Sequence, residues 1–156
     1  MKDKWKVYAV WILIAEAVGA LSGWLSREGA MLYSEMIMKP PLAPPGWVFP
    51  AVWTVLYALM GIGAARVWLT GDSAQRSMGL NLFIAQLIVN FFWSLIFFNL
   101  QAFGFAFFWL LLLWVLVLLM ILAFYKVDLL AAWLQVPYLI WLTFAAYLSG
   151  AVWLLN

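Results

Sequence analysis

Residues 77–125 read SMGLNLFIAQLIVNFFWSLIFFNLQAFGFAFFWLLLLWVLVLLMILAFY, and none of these 49 side chains carries a charge. As a single helix the stretch would be roughly 73 Å long, more than twice the ~30 Å hydrocarbon core of a bilayer. It must therefore fold back on itself. The polar and flexible residues Asn99, Gln101 and Gly104 mark the break and predict spans at about 79–99 and 104–125. Transmembrane strands would show short alternating segments instead of such unbroken apolar runs.

Downstream, Lys126-Val127-Asp128 reads as a tight turn, with Asp128 an N-cap for a span at about 129–154. Pro137 lies inside that span and frees the carbonyl of Trp133, which predicts a kink. Upstream, Thr70-Gly71-Asp72 closes a span at about 47–69. The first span, at about 5–25, is interrupted only by Glu16 and follows Lys2, Lys4 and Lys6. A basic start, an apolar run and Ala15-Glu16-Ala17 imitate a secretory signal with its cleavage site. The run continues past Glu16, so it is read as a span. The expectation is an all-α integral membrane protein, one five-transmembrane-helix domain over residues 1–156.

Composition agrees. Hydrophobic residues make up 69% of the chain and charged residues 9%, with a mean hydropathy of +1.07. Soluble domains carry about 45–50% apolar and about 25% charged residues, and a chain this short could not hide the excess from water. A soluble enzyme and a disordered chain are both excluded. Cys and His are absent, so no thiolate or imidazole can ligate a metal or act in catalysis. Six scattered acidic residues make a carboxylate cage improbable, and a net charge of +2 without a basic stripe excludes nucleic acid as partner.

Six Lys and Arg (Lys2, Lys4, Lys6, Arg66, Arg76, Lys126) fall on the N-terminal side of the predicted bundle, against Arg27 and Lys39 on the other. The positive-inside rule then places the N-terminus inside and the C-terminus outside. Trp5, Trp24, Trp47, Trp68 and Trp153 sit near predicted helix ends, as interface anchors do.

Three features exceed what a plain bundle needs. Five of the six prolines fall in Lys39-Pro-Pro-Leu-Ala-Pro-Pro-Gly-Trp-Val-Phe-Pro50, which reads as a stiff linker or as a rigid rim over a site. Three helical stripes mix large aromatics with small or polar groups: Trp53, Tyr57 and Gly61; Gln86, Asn90, Trp93 and Phe97; Tyr138, Trp141, Ala145 and Ser149. Gln86 and Asn90 are costly in mid-membrane unless they face the interior and find partners. Converging stripes predict a cavity walled by Trp and Tyr, suited to a large, flat, mostly apolar ligand. Glu16 is the one charge deep inside a span, either functional or held against Arg66 or another polar group. Gly19 and Gly23 form a GxxxG, which serves internal packing or a homodimer.

The stretch Lys39-Pro40-Pro41-x-x-Pro44-Pro45-Gly46-Trp47-Val48-Phe49-Pro50-x-Val52-Trp53-Thr54-x-Leu56-Tyr57-x-x-Met60-Gly61 resembles the translocator protein family, also called tryptophan-rich sensory proteins (TspO/MBR). Gln86-Leu87-x-x-Asn90-Phe91-x-Trp93 and Val136-Pro137-Tyr138-Leu139-x-Trp141-x-x-Phe144-Ala145 extend the resemblance over nearly the whole chain. Ser149 departs from it, since the family pattern leads one to expect Asn there. The resemblance implies a five-helix bundle, often dimeric, that binds tetrapyrroles such as protoporphyrin and haem, sterols in animal members, and benzodiazepine-type compounds. It also implies a contested porphyrin-degrading activity. Carried onto this chain, Trp53, Tyr57, Asn90, Trp93, Trp141 and Ala145 would line the pocket and Tyr33 would cover it.

Three functions follow as expectations. The first is a membrane receptor or carrier for porphyrins, needing no cofactor of its own. The second is an enzyme that destroys porphyrin in light and oxygen, with Trp53 and Trp141 as the reactive indoles. The third is a small-solute transporter or channel with Glu16 in its path, although no internal repeat is visible. Low charge and the lack of an organelle-type presequence are compatible with a bacterial cell envelope.

Overall fold

The computed structural model describes residues 3–156, so Lys2, counted above for orientation, lies outside the described residues. Five helices are long and apolar enough to cross a membrane. In chain order the helices are α1 (Lys4–Leu25), α2 (Arg27–Met36), α3 (Val48–Trp68), α4 (Ala74–Ser94, continued by a π-helical turn over Leu95–Asn99), α5 (Phe103–Tyr125), α6 (Leu129–Trp133) and α7 (Val136–Leu155).

Local chemistry sets these limits. Ser73 is extended and accepts the Arg76 N–H over 3.0 Å, so α4 starts at Ala74 and not at the expected 79. Asp128 caps α6 in the way the sequence suggests, accepting the Ala131 N–H over 3.0 Å. The fifth span, Leu129–Leu155, is interrupted at Leu134-Gln135, beside the Trp133 carbonyl that Pro137 cannot bond, so the expected kink takes the form of a short break between α6 and α7. Pro137 therefore occupies the first turn of α7, where its missing N–H costs nothing. Gln135, at the break, donates its side-chain amide to the Leu59 carbonyl over 3.0 Å and so ties the α6–α7 junction to α3. The long first connection also holds a helix, α2. It lies so close to the π turn of α4 that a Cβ on Gly29 would come within 2.5 Å of the Phe98 carbonyl.

In the bundle α1 packs on α3, α4 on α5, and α5 on α7, while α1 also touches α4. On the remaining side α3 meets α6, but α3 and α7 stay apart and are bridged mainly by aromatic side chains. Phe49 and Trp141 have centroids 5.9 Å apart, and Trp53 and Tyr138 6.0 Å. α1 and α3 approach closely at Gly61, whose missing Cβ leaves room for the Ile12 backbone. The GxxxG of α1 divides its roles. Gly19 makes room for the Tyr57 ring, whereas nothing stands near Gly23.

At one end of the bundle Arg66 Nε donates to Asp128 Oδ2 over 2.7 Å, and Nη2 to Oδ1 over 3.2 Å. Arg66 is thus paired with the α5–α6 turn and not with Glu16. Apolar side chains such as Leu13, Phe108 and Ile140 point outward all round the bundle, as a lipid solvent permits.

Candidate functional site

The five spans enclose a cavity of about 620 Å³, within the usual range for small-molecule sites. Its walls come from every transmembrane helix, with α2 and the proline-rich segment at one end.

Eight of the ten residues expected at the site stand on this wall: Tyr33, Trp53, Tyr57, Asn90, Trp93, Phe97, Trp141 and Ala145. Gln86 and Tyr138 do not. They lie behind it, fully buried, in a hydrogen-bonded relay. Tyr57 donates its hydroxyl to Asn90 Oδ1 over 2.8 Å, and Asn90 Nδ2 donates to the Tyr138 oxygen over 2.6 Å. Tyr138 donates to Gln86 Oε1 over 2.7 Å, and Gln86 Nε2 ends the chain on the Met60 sulfur at 3.8 Å. The placement has a simple cause. Mid-membrane amides and phenols are least costly when they satisfy one another. Their polarity marked an interior position, but it is spent inside the relay. This relay closes one end of the cavity.

Above it stand the indoles. Trp53 is 5.6 Å from the Tyr57 ring, and Trp93 stacks on Phe97 at 4.9 Å with planes 21° apart. Tyr33 reaches in from α2 to meet Phe97 at 5.4 Å and Phe98 at 5.4 Å. Burial pushes its phenol pKa up, so it stays neutral in this position. The Lys39 ammonium lies 5.2 Å from the Tyr33 centroid and donates to the Ser34 carbonyl over 2.8 Å. It is the cationic group at this end of the cavity.

The proline segment does form a rim, with Ala43, Pro44, Gly46, Phe49 and Pro50 all on the wall. It is tied to α7. Tyr147 donates to the Pro41 carbonyl over 2.7 Å, and Asn156 bonds both the N–H and the carbonyl of Met38, at 3.1 and 2.9 Å. Two polar atoms on the wall are buried without a partner, Trp141 Nε1 and Ser149 Oγ. A buried donor left unpaired costs free energy.

Sequence reasoning missed the wall given by Gly19, Ala20 and Gly23 of α1 and by Leu110 and Leu113 of α5. The small α1 residues were visible, but as a packing motif; here they make room for the cavity. In α5 an almost uniformly apolar sequence carries no mark of which face looks inward. Glu16 also reaches the wall and is half-buried.

Residues 11–154 match the TspO/MBR family. The chain is 38% identical over 149 residues to the tryptophan-rich protein TspO of Chlorobaculum tepidum, covering 95% of this chain and 94% of that one. It is 37% identical to protein CrtK of Rhodobacter capsulatus, covering 96% and 92%. Identity to the translocator protein of Homo sapiens is 36% over 157 residues, covering 98% and 92%. With the family match running over residues 11–154 and these relatives covered over more than nine-tenths of their length, the chain belongs to the TspO/MBR family of integral membrane proteins.

Proposed function

We propose that the protein is a membrane receptor or carrier that binds porphyrins, protoporphyrin and haem among them, in the aromatic cavity. The observation that carries this reading is the wall itself. Trp53, Trp93 and Trp141 stand round one cavity of about 620 Å³ that is mostly apolar. A flat polycyclic ring gains area burial and stacking from such a wall. Lys39, at the rim, suits a carboxylate on the ring's edge. Sterol-like and benzodiazepine-type molecules share the apolar body, and the same wall suits them. The protein would work in a bacterial cell envelope membrane, N-terminus inside and C-terminus outside, as a homodimer.

A titration with protoporphyrin IX in detergent, read by Soret absorbance and Trp quenching, tests this. One saturable site that weakens at least several-fold in Trp53→Ala and Trp93→Ala is expected. Unsaturable partitioning, identical in both variants, counts against it.

A second reading, light-driven oxidation of the porphyrin by dioxygen, draws support from Trp53. Its ring is 5.6 Å from Tyr57 and 6.0 Å from Tyr138, which joins an oxidisable indole to two oxidisable phenols.

A further inference from the structure

Trp141 borders two spaces. One side faces the cavity, and the other lines a groove of about 720 Å³ on the outside of the bundle. The groove runs along the seam where α3 and α7 stay apart. Val52, Val55 and Leu56 form one bank and Pro137, Ile140 and Phe144 the other, all apolar. Val55 is 58% exposed and Ile140 65%, so the groove opens to the hydrocarbon of the bilayer.

The indole between these spaces is not held by a hydrogen bond. Three other partly buried tryptophans are pinned through their N–H groups: Trp93 to the Ala106 carbonyl at 3.2 Å, Trp109 to the Val89 carbonyl at 2.8 Å, and Trp114 to Thr143 Oγ1 at 2.9 Å. Trp141 Nε1 has no partner. Ring contacts with Phe49 at 5.9 Å and Phe144 at 5.5 Å hold it, and a change of rotamer breaks no hydrogen bond. The proline rim, by contrast, is fixed to α7 through Tyr147 and Asn156.

We propose that the α3–α7 seam is a lateral portal and that Trp141 is its shutter. A flat apolar ligand dissolved in the bilayer collects in the groove and slides past the indole into the cavity. The inference rests on the reading of the cavity as a binding site for such ligands. Its physical basis is solvation. A polycyclic body that enters through the rim must first leave hydrocarbon for water, at about 25 cal/mol for each Å² exposed. The sideways path keeps that body in apolar surroundings, and the aromatic side chains that bridge the seam, Trp141 with Phe49 and Tyr138 with Trp53, are what it must pass.

The test uses the full chain in lipid nanodiscs. Val55→Trp plus Ile140→Trp fills the groove from its lipid side, at two exposed positions outside the cavity. With protoporphyrin IX added in stopped flow, association and dissociation should each slow about tenfold or more, while Kd stays within about twofold. The second arm locks the rim. Met38→Cys plus Asn156→Cys, joined by a short bis-thiosulfonate in this otherwise Cys-free chain, should leave both rates unchanged. The opposite pattern, with a rim lock that slows entry and a filled groove that does not, overturns the portal. Should wild type show no saturable porphyrin site, the reading of the cavity fails, and the portal is then judged without porphyrin. Ala145→Cys, on the cavity wall, should be labelled by a membrane-dissolved pyrene maleimide about tenfold more slowly when the groove is filled. Equal labelling in both backgrounds overturns it.

Discussion

Tyr57 donates its hydroxyl hydrogen to Asn90 Oδ1 over 2.8 Å, so the one phenol that lines the deep end of the cavity is already committed. Asn90 passes the polarity on to Tyr138 through Nδ2, and Tyr138 to Gln86. Each link pairs one donor with one acceptor, and the relay ends at the Met60 sulfur. Such a chain joins α3, α4 and α7 at mid-membrane, where unpaired polar groups are most costly.

The relay predicts a separation of stability from affinity. Tyr138→Phe removes the donor to Gln86 and the acceptor for Asn90, and should destabilise the bundle by about 1–2 kcal/mol. Tyr57→Phe should cost less stability and leave porphyrin affinity within about threefold, because its hydroxyl already serves Asn90. Reversible unfolding in mixed micelles gives the first quantity and Soret titration the second. A tenfold affinity loss in Tyr57→Phe would mean that the phenol serves the ligand instead.

The rim makes a second prediction. Pro41 and Pro44 stiffen a segment whose Pro41 carbonyl accepts from Tyr147. Pro41→Gly plus Pro44→Gly lets the segment sample more backbone states and raises the ordering cost of binding. Ligand affinity should fall by about tenfold while circular dichroism and thermal melting show an intact bundle. Unchanged affinity would reduce the segment to a linker.

A third prediction concerns acid. The hydrogen bond from Arg66 holds the Asp128 carboxyl below its ordinary value of 3.8, against a smaller opposing effect of burial, and the Ala131 N–H adds to the lowering. A carboxylate whose pKa is depressed by folding contributes stability that is fully present above the unfolded value. That stability is lost as pH falls through the folded value. Stability should therefore be flat from pH 7 to 5 on this account and decline only below about pH 4. Asp128→Ala should cost about 1–2 kcal/mol at pH 7 through the lost cap and ion pair, and should flatten that acid decline. Melting curves of both proteins at stepped pH measure this, and parallel acid limbs would contradict it.

Much of this was legible in the sequence because membrane constraints are one-dimensional. A charge-free stretch of 49 residues has to be two spans, and Asp128 has to cap something. What was hidden depends on three-dimensional neighbours. Pro137 forecast a disturbance in the fifth span at the Trp133 carbonyl, and the break falls beside it at Leu134-Gln135; what the sequence hid is that Gln135 then ties the junction to the Leu59 carbonyl on another helix. Gln86 and Tyr138 were marked as interior by their polarity, but polarity cannot say whether an interior group faces a cavity or a partner. The Leu110 and Leu113 wall was illegible, since α5 is apolar on nearly every side.

A fourth prediction concerns iron. The chain has neither His nor Cys, and no group of Asp or Glu suited to a metal occurs among the described residues. Stacking and hydrogen bonds would then hold the macrocycle whether or not it carries iron. Protoporphyrin IX and haem should bind within about tenfold of each other, compared by competition titration. A six-coordinate low-spin haem spectrum with much tighter binding would speak for a ligand on the iron.

The last prediction concerns the two indoles. Trp53 and Trp141 both stand on the cavity wall, from α3 and α7, so one ring in the cavity can contact either. Stacking on an aromatic side chain is worth about 1–3 kcal/mol by alanine substitution in nucleic-acid complexes, a scale carried over here to a larger ring. Trp→Phe keeps much of that area, and binding should weaken only modestly. The electron-rich indole, however, is the group most easily oxidised beside a photosensitiser. Trp53 also has Tyr57 and Tyr138 within 6.0 Å, so loss of an electron from its ring can be shared with phenols. Trp141, with its N–H unpaired, has no such phenol contact among its ring neighbours Phe49 and Phe144. Trp53→Phe should therefore slow light-driven porphyrin loss more than Trp141→Phe does, while both variants still bind. The measurement is Soret decay under illumination in air at saturating protein, with an argon-purged control to show the need for dioxygen. Equal decay in wild type and both variants would remove the enzymatic reading and leave a binding protein.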